Sequence, residues 1–119
     1  MTSVVPNPPP LAENKGRIYW YSPAKLWHAA LFAKIRLNGE PIGKPVPGRF
    51  FFKDIDPGTY EMTIRTEVSR KCMISIAGGQ TMYVRMSAGL GWLTARFRLE
   101  LVAPETAQTE MRGLMPGDY

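Results

Sequence analysis

Between Phe50 and Arg85 apolar and polar residues alternate through three successive runs, joined by turns that glycine permits. Asp56-Pro57-Gly58-Thr59-Tyr60 closes one run and opens the next, and Ala77-Gly78-Gly79-Gln80-Thr81 does the same later in the chain. A period of two places every second side chain on one face. Such runs pair as antiparallel strands with one face in a core and the other in solvent. Tyr60, Met62 and Ile64 share a face against Glu61, Thr63 and Arg65. Cys72, Ile74 and Ile76 share the next, which puts Cys72 in the core, and Met82, Val84 and Met86 oppose Tyr83 and Arg85.

The flanks extend the pattern. Arg17-Ile18-Tyr19-Trp20-Tyr21 is aromatic and β-branched and reads as the first strand. Ser22-Pro23 stops it, and a serine N-cap followed by proline predicts a short helix over 23–32, with a long loop as the competing description. Lys34 to Leu37 alternates, Asn38-Gly39 is a tight-turn signal, and Glu40-Pro41-Ile42-Gly43 returns as an edge piece that tolerates proline. Arg49-Phe50-Phe51-Phe52-Lys53 is a strand with charged residues flanking an aggregation-prone triple phenylalanine. In the last strand Leu93, Ala95, Phe97, Leu99 and Leu101 face inward against Thr94, Arg96, Arg98 and Glu100. Pro104 starts, and Gly113 ends, a short helix over 104–112. The expected fold is all-β: an antiparallel sandwich of about seven strands, of transthyretin or immunoglobulin type. Its expected divisions are a proline-rich extended tail (1–15), the sandwich (16–102) and a C-terminal arm (103–119) that either packs back or docks on another chain.

The residue inventory disfavours most chemistry. A Ser or Cys triad needs a base. His28 is the one histidine, with no Ser or Cys beside it in a recognised motif. One histidine and one cysteine do not make a zinc set. Asp54 and Asp56 alternate in a Lys-Asp-Ile-Asp-Pro-Gly turn, where a weak calcium site competes with a carboxylate that merely stabilises the turn. Gly89-Leu90-Gly91 lacks the lysine of a phosphate loop. No catalytic residue, cofactor site or metal site is therefore assigned. An enzyme would require a carboxylate pair such as Glu61 and Glu67 to meet in a cleft.

The order of motifs carries a resemblance. Gly16-Arg17-Ile18-Tyr19-Trp20-Tyr21 is followed by an Asn-Gly-x-x-Ile-Gly segment (Ile35 to Gly43), then a phenylalanine-rich strand leading into Ile55-Asp56-Pro57-Gly58-Thr59-Tyr60, and later Ala77-Gly78-Gly79-Gln80-Thr81-Met82-Tyr83-Val84-Arg85. From about Gly16 to Met111 the chain resembles the DUF2846 family, small bacterial domains of unassigned function, many of them predicted lipoproteins. The resemblance implies a sandwich, a periplasmic or outer-membrane-associated location and a tethered N-terminus, with a cytoplasmic location as the alternative. It supplies no catalytic residues. Two departures stand out: no lipobox cysteine precedes Pro6, and Met82 stands where the family usually has a second tyrosine.

Two kinds of partner are compatible with these residues. Trp27, Leu31 and Phe32 in one connection, Leu90 and Trp92 in another, and Met111 and Leu114 in the C-terminal segment are apolar groups suited to a protein interface. Residues 16–102 carry 13 Lys+Arg against 6 Asp+Glu, a balance of +7, so an anionic polymer is the competing ligand, held by Arg17, Arg85, Arg96 and Arg98 beside strand tyrosines. Nucleic acid ranks below a protein partner because strand count and Pro-Gly turns suit a sandwich better than a five-stranded barrel. Membrane association would come through an N-terminal tether.

Overall fold

The computed structural model describes residues 9–22, 34–43, 48–65, 69–89 and 96–116, with side chains described at 9–22, 34–43, 48–64, 71–86 and 99–114. Among these residues two sheets pack face to face. The strands are β1 (Gly16–Tyr21), β2 (Lys34–Leu37), β3 (Glu40–Gly43), β4 (Arg49–Ile55), β5 (Gly58–Arg65), β6 (Ser69–Ile76), β7 (Thr81–Gly89), β8 (Arg96–Val102) and a two-residue β9 (Met115–Pro116); the helix α1 spans Pro104–Met111. The first sheet runs β8-β7-β1-β4-β9 and the second β3-β2-β5-β6. The all-β sandwich expected from the alternation is present, with eight full strands rather than about seven. Two pairings are parallel, β1 with β7 and β4 with β9; the others are antiparallel.

The core between the sheets is the face the period-two pattern selects. Ile18, Trp20, Phe51, Ile55, Val84 and Met86 from the first sheet meet Ile35, Leu37, Met62, Ile64, Ile74 and Ile76 from the second. Cys72 is half-buried and packs against this cluster, as its register predicts. Trp20 and Phe51 are cross-strand partners with stacked rings 5.2 Å apart. Gly43 lies under that stack: a Cβ there would fall 2.6 Å from the Phe51 ring, so only glycine lets β3 close over it.

Turn chemistry matches the sequence. Asn38 and Gly39 both take positive φ, 50° and 85°, the geometry of the two-residue hairpin turn. The Asn38 N–H donates to the Glu61 carbonyl at 2.8 Å, and its Oδ1 accepts the Glu61 N–H at 2.9 Å. The end of the segment read as a tail joins the sandwich: Lys15 folds back on Ala12, and its carbonyl accepts the Gly79 N–H at 2.8 Å. The helix expected over 23–32 lies outside the described residues. That over 104–112 is α1, with Pro104 at its start and Gly113, at φ 82°, just past its end.

β1 is buried on both faces throughout its length. Its odd residues cannot face solvent because α1 returns onto the outside of the first sheet, while β9 extends that sheet beside β4. A second, smaller core forms there from Tyr19, Tyr21, Phe50 and Tyr83 under Ala107 and Met111, with Phe52, Val102 and Leu114 at its margin. This explains the triple phenylalanine, since Phe51 enters the main core while Phe50 and Phe52 enter the second. A run without alternation is what a strand covered on both sides requires.

Candidate functional site

The outer face of the first sheet carries most of the charged and aromatic residues that the sequence singled out. The registers align them in rows across β8, β7, β1 and β4. One row is Val102, Tyr83, Tyr19 and Phe52, and the next is Glu100, Arg85, Tyr21 and Phe50. Tyr19 and Tyr83 stack at 5.2 Å with nearly parallel planes. The tyrosines of β1 and β7 therefore belong to one continuous face, a result of the parallel β1–β7 pairing. They are also buried beneath α1, so the picture of exposed aromatics ready to stack on bases is corrected.

The two described arginines of this face are engaged. Arg17 reaches its cross-strand partner Asp54 with Nε at 2.7 Å and a terminal nitrogen at 3.0 Å, and its guanidinium lies 4.7 Å above the Phe52 ring. The hydrogen bond to Asp54 holds Arg17 above its ordinary value despite burial. Arg85 bonds both oxygens of Glu110, at 2.9 and 2.8 Å, and Glu100 at 3.1 Å. Burial pulls Arg85 down, but the two carboxylates outweigh it and raise it. Tyr21 donates its hydroxyl to the same Glu110, and burial together with that bond raises the phenol. This cluster ties α1 to the sheet: Glu110 is one turn from Ala107 and beside Met111, the two residues the helix buries.

Other predicted site residues fall as follows. Met111 is 1% exposed and Leu114 half-buried against the second core, so of the two alternatives for this segment it packs back, and its reading as a docking arm is corrected. It packs on its own sheet because the aromatic face there would otherwise be bare. Trp27, Leu31, Phe32, Leu90 and Trp92 lie outside the described residues, as do His28 and Glu67. Arg96 and Arg98 occupy β8 opposite Gly89 and Ser87. Asp54 pairs with Arg17 and Asp56 with Lys15, at 2.5 Å, so the two carboxylates of the turn each hold a cationic side chain. Among the described residues no three His, Cys, Asp or Glu side chains cluster closely enough to hold a metal ion. A shallow cavity of about 180 Å³ lies beside the start of β7 at the foot of α1, lined by Met82, Tyr83, Leu101 and Pro104 among others. Leu101 keeps the inward phase expected of it, opposite Val84, but is 47% exposed because β8 is an edge strand.

A different surface went unnoticed in the sequence. β6 is the outermost strand of the second sheet, eight residues long, and among the described residues no strand pairs with its outer side. Met73, at its middle, is the most exposed large apolar side chain described, at 60%. The backbone groups that point away from the sheet can be assigned. Glu61 on β5 spends both its N–H and its C=O on Asn38, away from β6. Its partner Met73 therefore forms a non-hydrogen-bonded pair with it, and Met73 aims its own N–H and C=O outward. By alternation Ser69, Lys71 and Ser75 do the same. The signal available in the sequence was a methionine on the solvent phase of Lys71-Cys72-Met73-Ile74.

The other three sheet margins are protected or interrupted. β3 is four residues long, contains Pro41 and pairs through a register shift between Ile35 and Arg36. β4 is partly covered by β9. β8 carries charge at Arg96, Arg98 and Glu100. Short length, proline, irregularity and charge are the devices that blunt an edge; β6 is the longest of these margins and has charge alone, at Arg70 and Lys71.

No curated protein matches the chain. Residues 12–97 match the family described as protein of unknown function (DUF2846). The match begins at the turn that clasps Gly79 and stops within β8, so α1 and β9 lie beyond it, although the resemblance was expected to reach Met111. Covering well over half of the chain and the motifs from Gly16 to Arg85, the match shows that this protein belongs to the DUF2846 family.

Proposed function

We propose that this chain is a non-enzymatic, protein-binding module of the bacterial cell envelope, a structural component that accepts an extended strand of another chain along β6. The observation that carries this reading is the row of N–H and C=O groups on β6 that no strand takes up among the described residues, with Met73 exposed beside it. Strand addition draws its affinity from such main-chain groups and its selectivity from alternate side chains. The competing route, α1 docking in a partner's groove, is disfavoured because α1 is spent on the protein's own aromatic face. The envelope location is the expectation attached to the family. Among the described residues no helix is long and apolar enough to cross a membrane, so association would rest on a tether or a partner. Anionic-polymer binding is the weaker reading, since Arg17 and Arg85 are already engaged by Asp54, Glu100 and Glu110.

The test is site-specific photocrosslinking in intact cells, with the photoreactive residue at Met73 and, as control, at the exposed Lys53 of β4. A defined envelope protein captured from Met73 and not from Lys53 is the expected result. Equal capture from both positions, or none from Met73, removes the β6 reading.

A further inference from the structure

We infer that the strand received by β6 is β6 of a second copy of this chain, paired antiparallel about a two-fold axis at Cys72. The inference rests on the β6 reading above and names its partner. Register arithmetic carries it. The groups free to bond belong to Ser69, Lys71, Met73 and Ser75, so a symmetric antiparallel ladder must pair these residues with one another. Centring it on Lys71 sets two lysines directly opposite, which is repulsive. Centring it on Met73 puts Ser69 opposite Ala77, whose N–H and C=O are both consumed in the turn with Gln80. Centring it on Cys72 pairs Ser69 with Ser75 and Lys71 with Met73 of the other copy, twice each by symmetry. All four outward residues of each edge are then used, giving eight hydrogen bonds from four pairs.

The side chains agree with that register. Glu61 stands across from Met73 within the chain, and Lys71 of the second copy would stand on its other side. Strands about 4.8 Å apart leave Glu61 and that lysine roughly 10 Å apart at Cα, within reach over the methionine between them. The lysine stem covers Met73 while its ammonium meets the carboxylate. Two four-stranded sheets become one continuous sheet with every core-facing side chain on the same side. A single ladder is a small interface, so the association is concentration-dependent rather than permanent.

The register also makes Cys72 a reporter. The two Cys72 residues form a non-hydrogen-bonded pair with Cα atoms about 4.5 Å apart, inside the range a disulfide spans. Because the chain has one cysteine, any disulfide formed joins two copies at this position.

The experiment combines sedimentation over a range of concentrations with copper-phenanthroline oxidation in air, which couples two thiols and passes their electrons to oxygen. The expected result is a reversible dimer and a rapid Cys72 disulfide. Met73→Lys places lysine opposite Lys71 and should weaken the dimer about tenfold or more. Lys71→Glu/Met73→Lys restores opposite charges in this register alone and should recover it. Both positions are exposed, and circular dichroism checks that the variants stay folded. A dimer indifferent to Met73→Lys overturns the inference. So does a chain monomeric at every concentration: if Met73 then photocrosslinks a different envelope protein, self-pairing falls and the β6 reading stands, whereas no Met73 adduct removes both.

Discussion

Asp54 grips the buried Arg17 guanidinium with both carboxylate oxygens, at 2.7 and 3.0 Å, directly across the β1–β4 ladder. The Arg17 side chain is almost fully buried while the Asp54 side chain is one-third exposed, so the pair is a desolvated cation held by a partly wetted anion. Removing the anion leaves the cation without compensation. Asp54→Asn should therefore cost about 2 kcal/mol in urea unfolding. Asp56→Asn, which breaks the exposed pair with Lys15, should leave the unfolding midpoint unchanged within error. Equal effects from the two substitutions would contradict the difference in burial.

Tyr21 sets a pH dependence. Burial, reinforced by the hydrogen bond to Glu110, raises its phenol above the ordinary 10.0, and burial raises Tyr19 as well. With the folded value above the unfolded one, the unfolded chain ionises first as pH rises. The stabilisation is complete below about pH 10 and is lost as pH climbs from there through the folded value. At neutral pH Tyr21→Phe should cost about 1 kcal/mol for the lost bond. The gap to the parent should then narrow as pH is taken above 10, because the variant has no Tyr21 to ionise. Lys15, raised by its bond to Asp56, is common to both proteins, so the difference between their denaturation curves isolates Tyr21.

Gly43 has no room for a side chain. A methyl group there would sit 2.6 Å from the Phe51 ring, which cannot retreat because it stacks on Trp20. Gly43→Ala should destabilise the fold by about 1–3 kcal/mol. Combining it with Phe51→Leu should cost less than the sum of the two changes, which a double-mutant cycle measures.

The helix α1 protects an aromatic surface. Its buried residues are Ala107 and Met111, and an eight-residue helix is marginal without tertiary contacts. Met111→Ala should cost roughly 2–4 kcal/mol. Removing residues 103–119 should expose Tyr19, Tyr21, Phe50 and Tyr83, increase binding of a hydrophobic dye and lower solubility. A shortened chain as soluble and dye-silent as the parent would show that this face does not need its cover.

Much of the fold was legible because alternation is a local property. Side chains two apart share a face, so Met62, Ile64, Ile74, Ile76, Val84 and Met86 could be placed on apolar faces before any strand was paired. The Asn38-Gly39 turn and the Pro104 helix start were legible for the same reason, since each depends on the dihedral preferences of one or two residues.

Which strand neighbours which was decided only by the tertiary structure. β1 lies parallel to β7, some sixty residues away in the chain, and no local pattern reports such a pairing. That pairing joined the outer faces of β1 and β7 into one, and the return of α1 over it buried the strand tyrosines and a candidate docking arm in a second core. The β1–β4 ladder brought Asp54 to Arg17, and β8 and α1 brought Glu100 and Glu110 to Arg85, converting apparent basic sites into closed ion pairs. The same long-range order left β6 at a margin. A sequence specifies which face of a strand is apolar through its period, but the strand at the edge is whichever one the assembled sheet leaves unpaired.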